Sequence, residues 1–299
     1  MRYELPNKNK SYIPDLYSYL CSIDAKHLHN MEHGLMHPAD VFTTVFDEVV
    51  ASGQRLVVTI QEMEHNKDKR RDKHVNSLIS GFLYSISNFI DACKSIVKCL
   101  FIKDEEKKYK KIISEFMNQC RMYIDYVNTK VNYIKHRHRS ISTILCEWDN
   151  DFILGYYING PVSDNINGPD PDIHKDVNCA ISMNWEFPYH IVNIYFLSAS
   201  LKSLLEEIRP SASDFDIKYD DKDLIKFLTD VSLINRFLLP DEFVKVQALV
   251  KRKDSGFILE YPSKIKAKNN HLHTMNISMT AKIGFGARGF ITPYRQPAK

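Results

Sequence analysis

The residue types best suited to chemistry gather in one stretch, Asn128 to Arg139, NTKVNYIKHRHR. Read as a helix at about 100° per residue, Asn128, Asn132 and His136 recur at i, i+4 and i+8 and share a stripe. Asp125 and Arg139 fall close to that stripe, and Lys130, Lys135 and Arg137 add cations around the helix. An imidazole among amides and a guanidinium suits general acid–base work, because its ordinary pKa lies near neutrality. The same residues also suit a solvated basic helix end, whose cations favour the negative end of the helix dipole.

A second cluster is HLHNMEHGLMH, which holds four of the twelve histidines: His27, His29, His33 and His37. The i, i+4 pairs His29/His33 and His33/His37 would share a helix face and are a zinc-ligand geometry, which would make a metal-dependent enzyme. Gly34 and Pro38 break such a helix, and no cysteine or acid stands at a signature spacing. The expectation is therefore a polar surface with no metal and no cofactor. The chain has no P-loop, no H-E-x-x-H, no G-x-S-x-G and no D-x-D-x-D-G loop. The pairs Asp170/Asp172 and Asp220-Asp221 lie in turn-like sequence and read as loop and helix-capping residues. Cys120 or Cys146 beside a histidine is a nucleophilic dyad that only coordinates can test.

These residues need positioning elements, and the sequence supplies them. The 299 residues are 44% hydrophobic and 26% charged, an ordinary globular balance. Apolar periodicity predicts helices over about 39–64, 75–101 and 109–136, which short polar connections would fold into an antiparallel bundle. Ile124, Val127, Val131 and Ile134 are the core stripe of the third. A short helix near 14–23 interrupts an otherwise irregular lead. After Arg139 the pattern alternates: SISTILCEWDNDFILGYYING predicts a hairpin turning near 149–151. PVSDNINGPDPD reads as a loop, 177–187 as a further strand, and 191–208, 221–237 and 241–252 as helices. GFILEY, HTMNISMTAKIGF and RGFITPY make the last fifty residues strand-rich. The fold class is α+β: a helical bundle, then a mixed region with a small antiparallel sheet. Three segments follow, 1–38 as a lead, 39–139 as the bundle and 140–299 as the α+β region.

No apolar run reaches membrane-spanning length, and the first residues lack a signal-peptide core, so no membrane association is expected. Six scattered cysteines without a C-x-x-C pair fit reduced thiols and a cytoplasmic protein. Residues 251–299 hold ten Lys/Arg against two Asp/Glu, a net +8 in a chain whose total is +3. This basic segment is compatible with nucleic acid, with Arg252 and Arg288 as contacts. Arg70 and Arg71 in HNKDKRRDKH, and Lys135, are further candidates. GFGARG at 284–289 opens no helix and reads as a hairpin turn rather than a dinucleotide fingerprint.

Long helices with N-x-x-K-H-R (Asn132–Arg137) at the end of the third resemble the HEPN superfamily over residues 39–139. Many of its members are RNases of toxin–antitoxin and antiphage systems, and others are non-catalytic RNA-binding or assembly modules. Active members carry Arg-x(4–6)-His, and two protomers join to drive attack of a ribose 2′-OH on phosphate without metal. The resemblance implies His136 as acid/base, Lys130, Arg137 and Arg139 as phosphate cations, and Asn132 as the group orienting phosphate or ribose. It implies a homodimer, RNA as substrate and a protein partner in a defence or toxin system. Lys130 departs from the motif, since lysine lacks the bidentate fork of arginine. An ideal helix also sets it about 120° from His136. That departure favours the non-catalytic alternative.

Overall fold

The structure, a computed structural model, describes residues 1–8, 10–66, 74–148, 151–175, 180–210, 219–235, 237–239, 242, 247–262, 276–279, 288–291 and 293. It is an α+β protein. Among the described residues its α-helices are α1 (Leu16–Cys21), α2 (Pro38–His65), α3 (His74–Lys98), α4 (Glu106–Gln119), α5 (Arg121–His136), α6 (Met183–Ile208) and α7 (Lys222–Leu233).

The first helices form as the periodicity requires. Pro38 occupies the first turn of α2, where its missing N–H costs nothing, and His37 Nδ1 caps it by accepting from the Ala39 amide at 3.2 Å. Helices α2 and α3 run antiparallel, because residue numbers that rise along one fall along the other. Phe42 and Phe46 meet Phe89, Ser52 Oγ lies 2.7 Å from Ser85 Oγ, and Gly53 lies beside Phe82. The expected third helix is two. Cys120, with φ −104° and ψ 10°, breaks it into α4 and α5. Buried residues continue across the break from Phe116 through Cys120 to Ile124, which is why periodicity reads one helix.

Three further expectations are corrected. Helix α6 starts at Met183 rather than near 191, because Pro188 lies inside its early turns instead of before it. Of the expected helix 241–252, residues 241 and 243–246 lie outside the described residues, and its end is strand β6 (Leu249–Lys253), paired antiparallel with β7 (Gly256–Glu260). The β6 sequence, LVKRK, is too short and too blocked to choose a period, and the hairpin across Asp254 and Ser255 decides. The expected loop 161–172 is largely sheet. There β3 (Asp151–Ser163) turns at Asn165 into β4 (Ile166–Pro169), with an irregular register between Pro161 and Ser163 that accommodates the proline.

Two sheets result. In the smaller one β1 (Arg2–Leu5), unexpected in the lead, pairs with β7, and β7 with β6. The larger has the order β8-β2-β3-β4-β9, where β2 is Ser140–Trp148, β8 is Asn276–Met279 and β9 is Gly289–Phe290. The short β5 (Ile181–Ser182) also pairs with β3, and the contact of β4 with β9 is parallel. The predicted hairpin is β2–β3, in register from Ser140–Asn159 to Trp148–Asp151. Its tip, 149–150, lies outside the described residues. Alternate residues face opposite ways: Ile141, Leu145, Leu154, Tyr156 and Ile158 join the helical core, while Ile144, Cys146, Ile153 and Tyr157 pack with Ala180 and Leu239.

Helix α6 is buried on nearly every side and touches α1, α3, α4, β3, β5, β6 and β7. The main core is continuous from Leu5 to Leu259 and includes residues on both sides of positions 38 and 139. No described helix is long and apolar enough to cross a membrane.

Candidate functional site at the end of α5

Helix α5 presents its residues to two different environments. Ile124, Val127 and Val131 are buried, and Ile134 packs partly buried against them, as the core stripe requires. Asn132, Lys135, His136 and Arg137 are exposed. Among the described residues neither the Asn132 nor the His136 side chain has a hydrogen-bond partner. The helix ends where His138 takes φ 53°, a left-handed conformation that turns the chain. The amides of Arg137 and Arg139 both donate to the Tyr133 carbonyl, at 3.2 and 3.1 Å.

Lys130 lies apart from this surface. It is 2% exposed. Its Nζ donates to Glu186 Oε1 at 2.6 Å, to Tyr126 Oη at 2.5 Å and to Tyr156 Oη at 3.0 Å. The Tyr126 and Tyr156 hydroxyls also donate to Glu186 Oε1, at 2.7 and 2.9 Å. His190, one turn further along α6, places Nε2 3.3 Å from the same oxygen and Nδ1 2.8 Å from Tyr123 Oη. A buried ammonium also lies 3.8 Å from the Tyr126 ring centroid, a favourable cation–π distance. The placement of Lys130 as a phosphate cation beside His136 is thus corrected: the angular offset between the two positions sends one inward and the other outward.

The electrostatics of this centre follow from its burial. Burial alone would raise the Glu186 carboxyl. The charge of Lys130 and hydrogen bonding from His190 and Lys130 outweigh it and hold the group well below the usual carboxylate range. Burial lowers His190 against the opposing pull of Glu186, which keeps the imidazole neutral. Burial pushes the hydroxyls of Tyr123, Tyr126 and Tyr156 well above their ordinary value, so they remain donors. The centre is a charge-paired core rather than a reactive cleft. Its sequence signal was Glu186-x-x-x-His190 inside the apolar run WEFPYHIVNIYFL, two polar residues with nowhere to go but inward.

The two arginines after α5 are engaged by the loop that follows β4. Arg139 Nε donates to Asp170 Oδ2 at 2.8 Å, and Arg137 Nη1 to Asp172 Oδ2 at 3.2 Å. Tyr133 Oη donates to the same Asp172 oxygen at 2.6 Å, and the Arg137 guanidinium lies 4.2 Å from the Tyr133 ring centroid. That hydrogen bond lowers the Asp172 carboxyl and raises the Tyr133 hydroxyl. Asp170 and Asp172 are therefore ion-pair partners of the basic stretch, a role the sequence reading missed. Of the pair further on, Asp221 accepts from Ser11 Oγ and from the Tyr12 amide rather than from its own helix.

The other candidate contacts are dispersed. Arg252 is exposed on β6 in the small sheet, and Arg288 is exposed where its amide meets the Asn165 carbonyl beside β9. Among the described residues no hydrogen bond or ion pair joins either to the end of α5. Arg70 and Arg71, and most of GFGARG, lie outside the described residues. The groove of about 520 Å³ between α2 and α7 is acidic, lined by Asp47, Asp220 and Asp223 with Tyr219, Gln54 and Lys226. It repels phosphate.

Three of the four clustered histidines make hydrogen-bond contacts with protein groups. His33 Nε2 meets the Phe101 carbonyl at 2.8 Å, His29 Nδ1 meets Glu32 at 3.0 Å, and His37 caps α2. Among the described residues no three His, Cys, Asp or Glu side chains come together to hold a metal. Cys120 and Cys146 are free but buried, which pushes each thiol up to about 11. Neither is a thiolate nucleophile at neutral pH.

No family model, no curated protein and no solved structure matches this chain.

Proposed function

We propose that the protein is a HEPN-like RNA-binding module that contacts RNA phosphates through the exposed end of α5 and does not cut them. The observation that carries this reading is the burial of Lys130 on Glu186. Lys130 occupies the place of the motif arginine, so His136 lacks a cation of its own motif at the surface. Arg139 is taken by Asp170 and Arg137 partly by Asp172, which leaves Lys135 and His136 as the outward groups. A surface of this kind attracts a polyanion but does not assemble an acid, a base and a transition-state cation around one phosphate. The HEPN resemblance supplies the setting: a homodimer, with a protein partner, in a bacterial defence or toxin system.

The test is anisotropy of a labelled single-stranded oligoribonucleotide over a salt series. Wild-type protein binds with an affinity that falls with salt, and Lys135→Ala/Arg137→Ala lowers both the affinity and the salt slope. An unaltered slope in that variant would refute the assignment.

The second reading is a metal-independent RNase whose site is completed by a second copy. The observation in its favour is that Asn132 and His136 lie exposed on one stripe without intramolecular partners among the described residues.

A further inference from the structure

We propose that Arg139, Asp170 and Gly160 form a joint that positions the end of α5 for RNA. Arg139 is then a positioning residue and not a phosphate contact. This deepens the RNA-binding reading above and rests on it.

The joint is built around Asp170, a carboxylate only 2% exposed. One oxygen accepts from Arg139 Nε at 2.8 Å and the other from the Asp172 amide at 3.1 Å. The Asp170 amide donates to the Ile158 carbonyl at 2.9 Å, and its carbonyl accepts from the amides of Ile173 and His174. His174 Nε2 in turn accepts from the Ile158 amide at 2.9 Å. Both backbone groups of Ile158 therefore hold the 170–174 loop against β3, and that loop holds Arg139.

Gly160 is what makes room. A Cβ there would lie 2.3 Å from Asp170 Oδ2 and 3.0 Å from Arg139 Nε. Any side chain at this position would displace the ion pair. At the other side of the joint, the Arg139 amide bonds the Tyr133 carbonyl and closes the last turn of α5 behind His138. The backbone that carries Lys135, His136 and Arg137 is thus tied to the sheet through Arg139, with Arg137 and Tyr133 adding exposed bonds to Asp172 of the same loop. Pairing through Nε with a buried carboxylate offsets the charge that Arg139 would offer a phosphate.

Asp170→Asn in the full chain separates the two roles, because electrostatics and positioning predict opposite signs. If charge alone mattered, removing an anion beside the binding surface would tighten RNA binding. If the joint positions α5, binding weakens, by about tenfold, and the salt slope stays unchanged. Hydrogen exchange at the Arg137 and Arg139 amides reads the joint directly and speeds up in the variant. Gly160→Ala should reproduce both effects by displacing the same pair. Binding that is equal or tighter in Asp170→Asn, or exchange unchanged in both variants, would overturn the proposal. Wild-type protein that binds no RNA would overturn the RNA reading and the positioning role together, and exchange would still show whether the joint orders the turn.

Discussion

Lys130 Nζ lies 2.6 Å from Glu186 Oε1, with both side chains withdrawn from solvent. This contact ties α5 to α6, the helix around which the core is assembled. It also divides a continuous basic-looking stretch into an inward anchor and an outward surface. Two buried charges lose much hydration, and their attraction repays it only when further donors complete the set. Here Tyr126 and Tyr156 add donors to Glu186 Oε1, while Oε2 is buried without a hydrogen-bond partner among the described residues.

Removing one member of that pair should therefore cost far more than removing both. Lys130→Met or Glu186→Leu alone leaves an unpaired buried charge and should destabilise by about 3–5 kcal/mol. The double variant should lose clearly less than the two single losses combined, as measured by urea unfolding. Additive losses would mean that the two groups do not act as a pair.

Stability should also fall in mild acid through His190. Folding lowers its pKa from the ordinary 6.5, so the unfolded chain takes up the proton first as pH drops. The stabilisation is complete above 6.5 and is lost toward the folded value, by at most about 1.4 kcal/mol per pH unit for one proton. Glu186 adds to the loss below its unfolded value of 4.5, because its carboxyl is depressed in the fold. His190→Gln should flatten the pH dependence between about 7 and 5 in unfolding midpoints. Parallel curves for the variant and the wild type would exclude the assignment.

Two glycines should respond to alanine with opposite signs. A Cβ at Gly160 meets the Arg139–Asp170 pair, so Gly160→Ala should lose about 1–3 kcal/mol through forced displacement. A Cβ at Gly81, inside α3, meets nothing within 4 Å, so Gly81→Ala should gain about 0.4–1 kcal/mol from reduced chain entropy. Thermal melts of the two variants decide the point, and a stabilised Gly160→Ala would contradict the close approach described here.

The helices were legible because amphipathic periodicity depends only on which side chains leave water. The same signal placed Ile124, Val127 and Val131 in the core and His136 outside it. What periodicity could not supply was long-range pairing. β1 reads as an irregular lead until β7, over 250 residues later, gives it a partner, and β6 reads as helix until the same strand claims it. The site was half legible for a similar reason. Lys130 stood out for its type and spacing, but its meaning depended on Glu186, 56 positions away. Arg139 likewise reads as a surface cation until Asp170 and the space at Gly160 are seen together.

The measurement closest to the central claim combines binding and cleavage in one sample. Purified protein is mixed with labelled RNA in EDTA, and complex and product ends are followed together, beside His136→Ala checked for folding by circular dichroism. The account predicts salt-sensitive binding, intact RNA and at most a modest loss of affinity in the variant. Cleavage to 2′,3′-cyclic phosphate ends that His136→Ala abolishes would contradict it and establish the composite RNase instead.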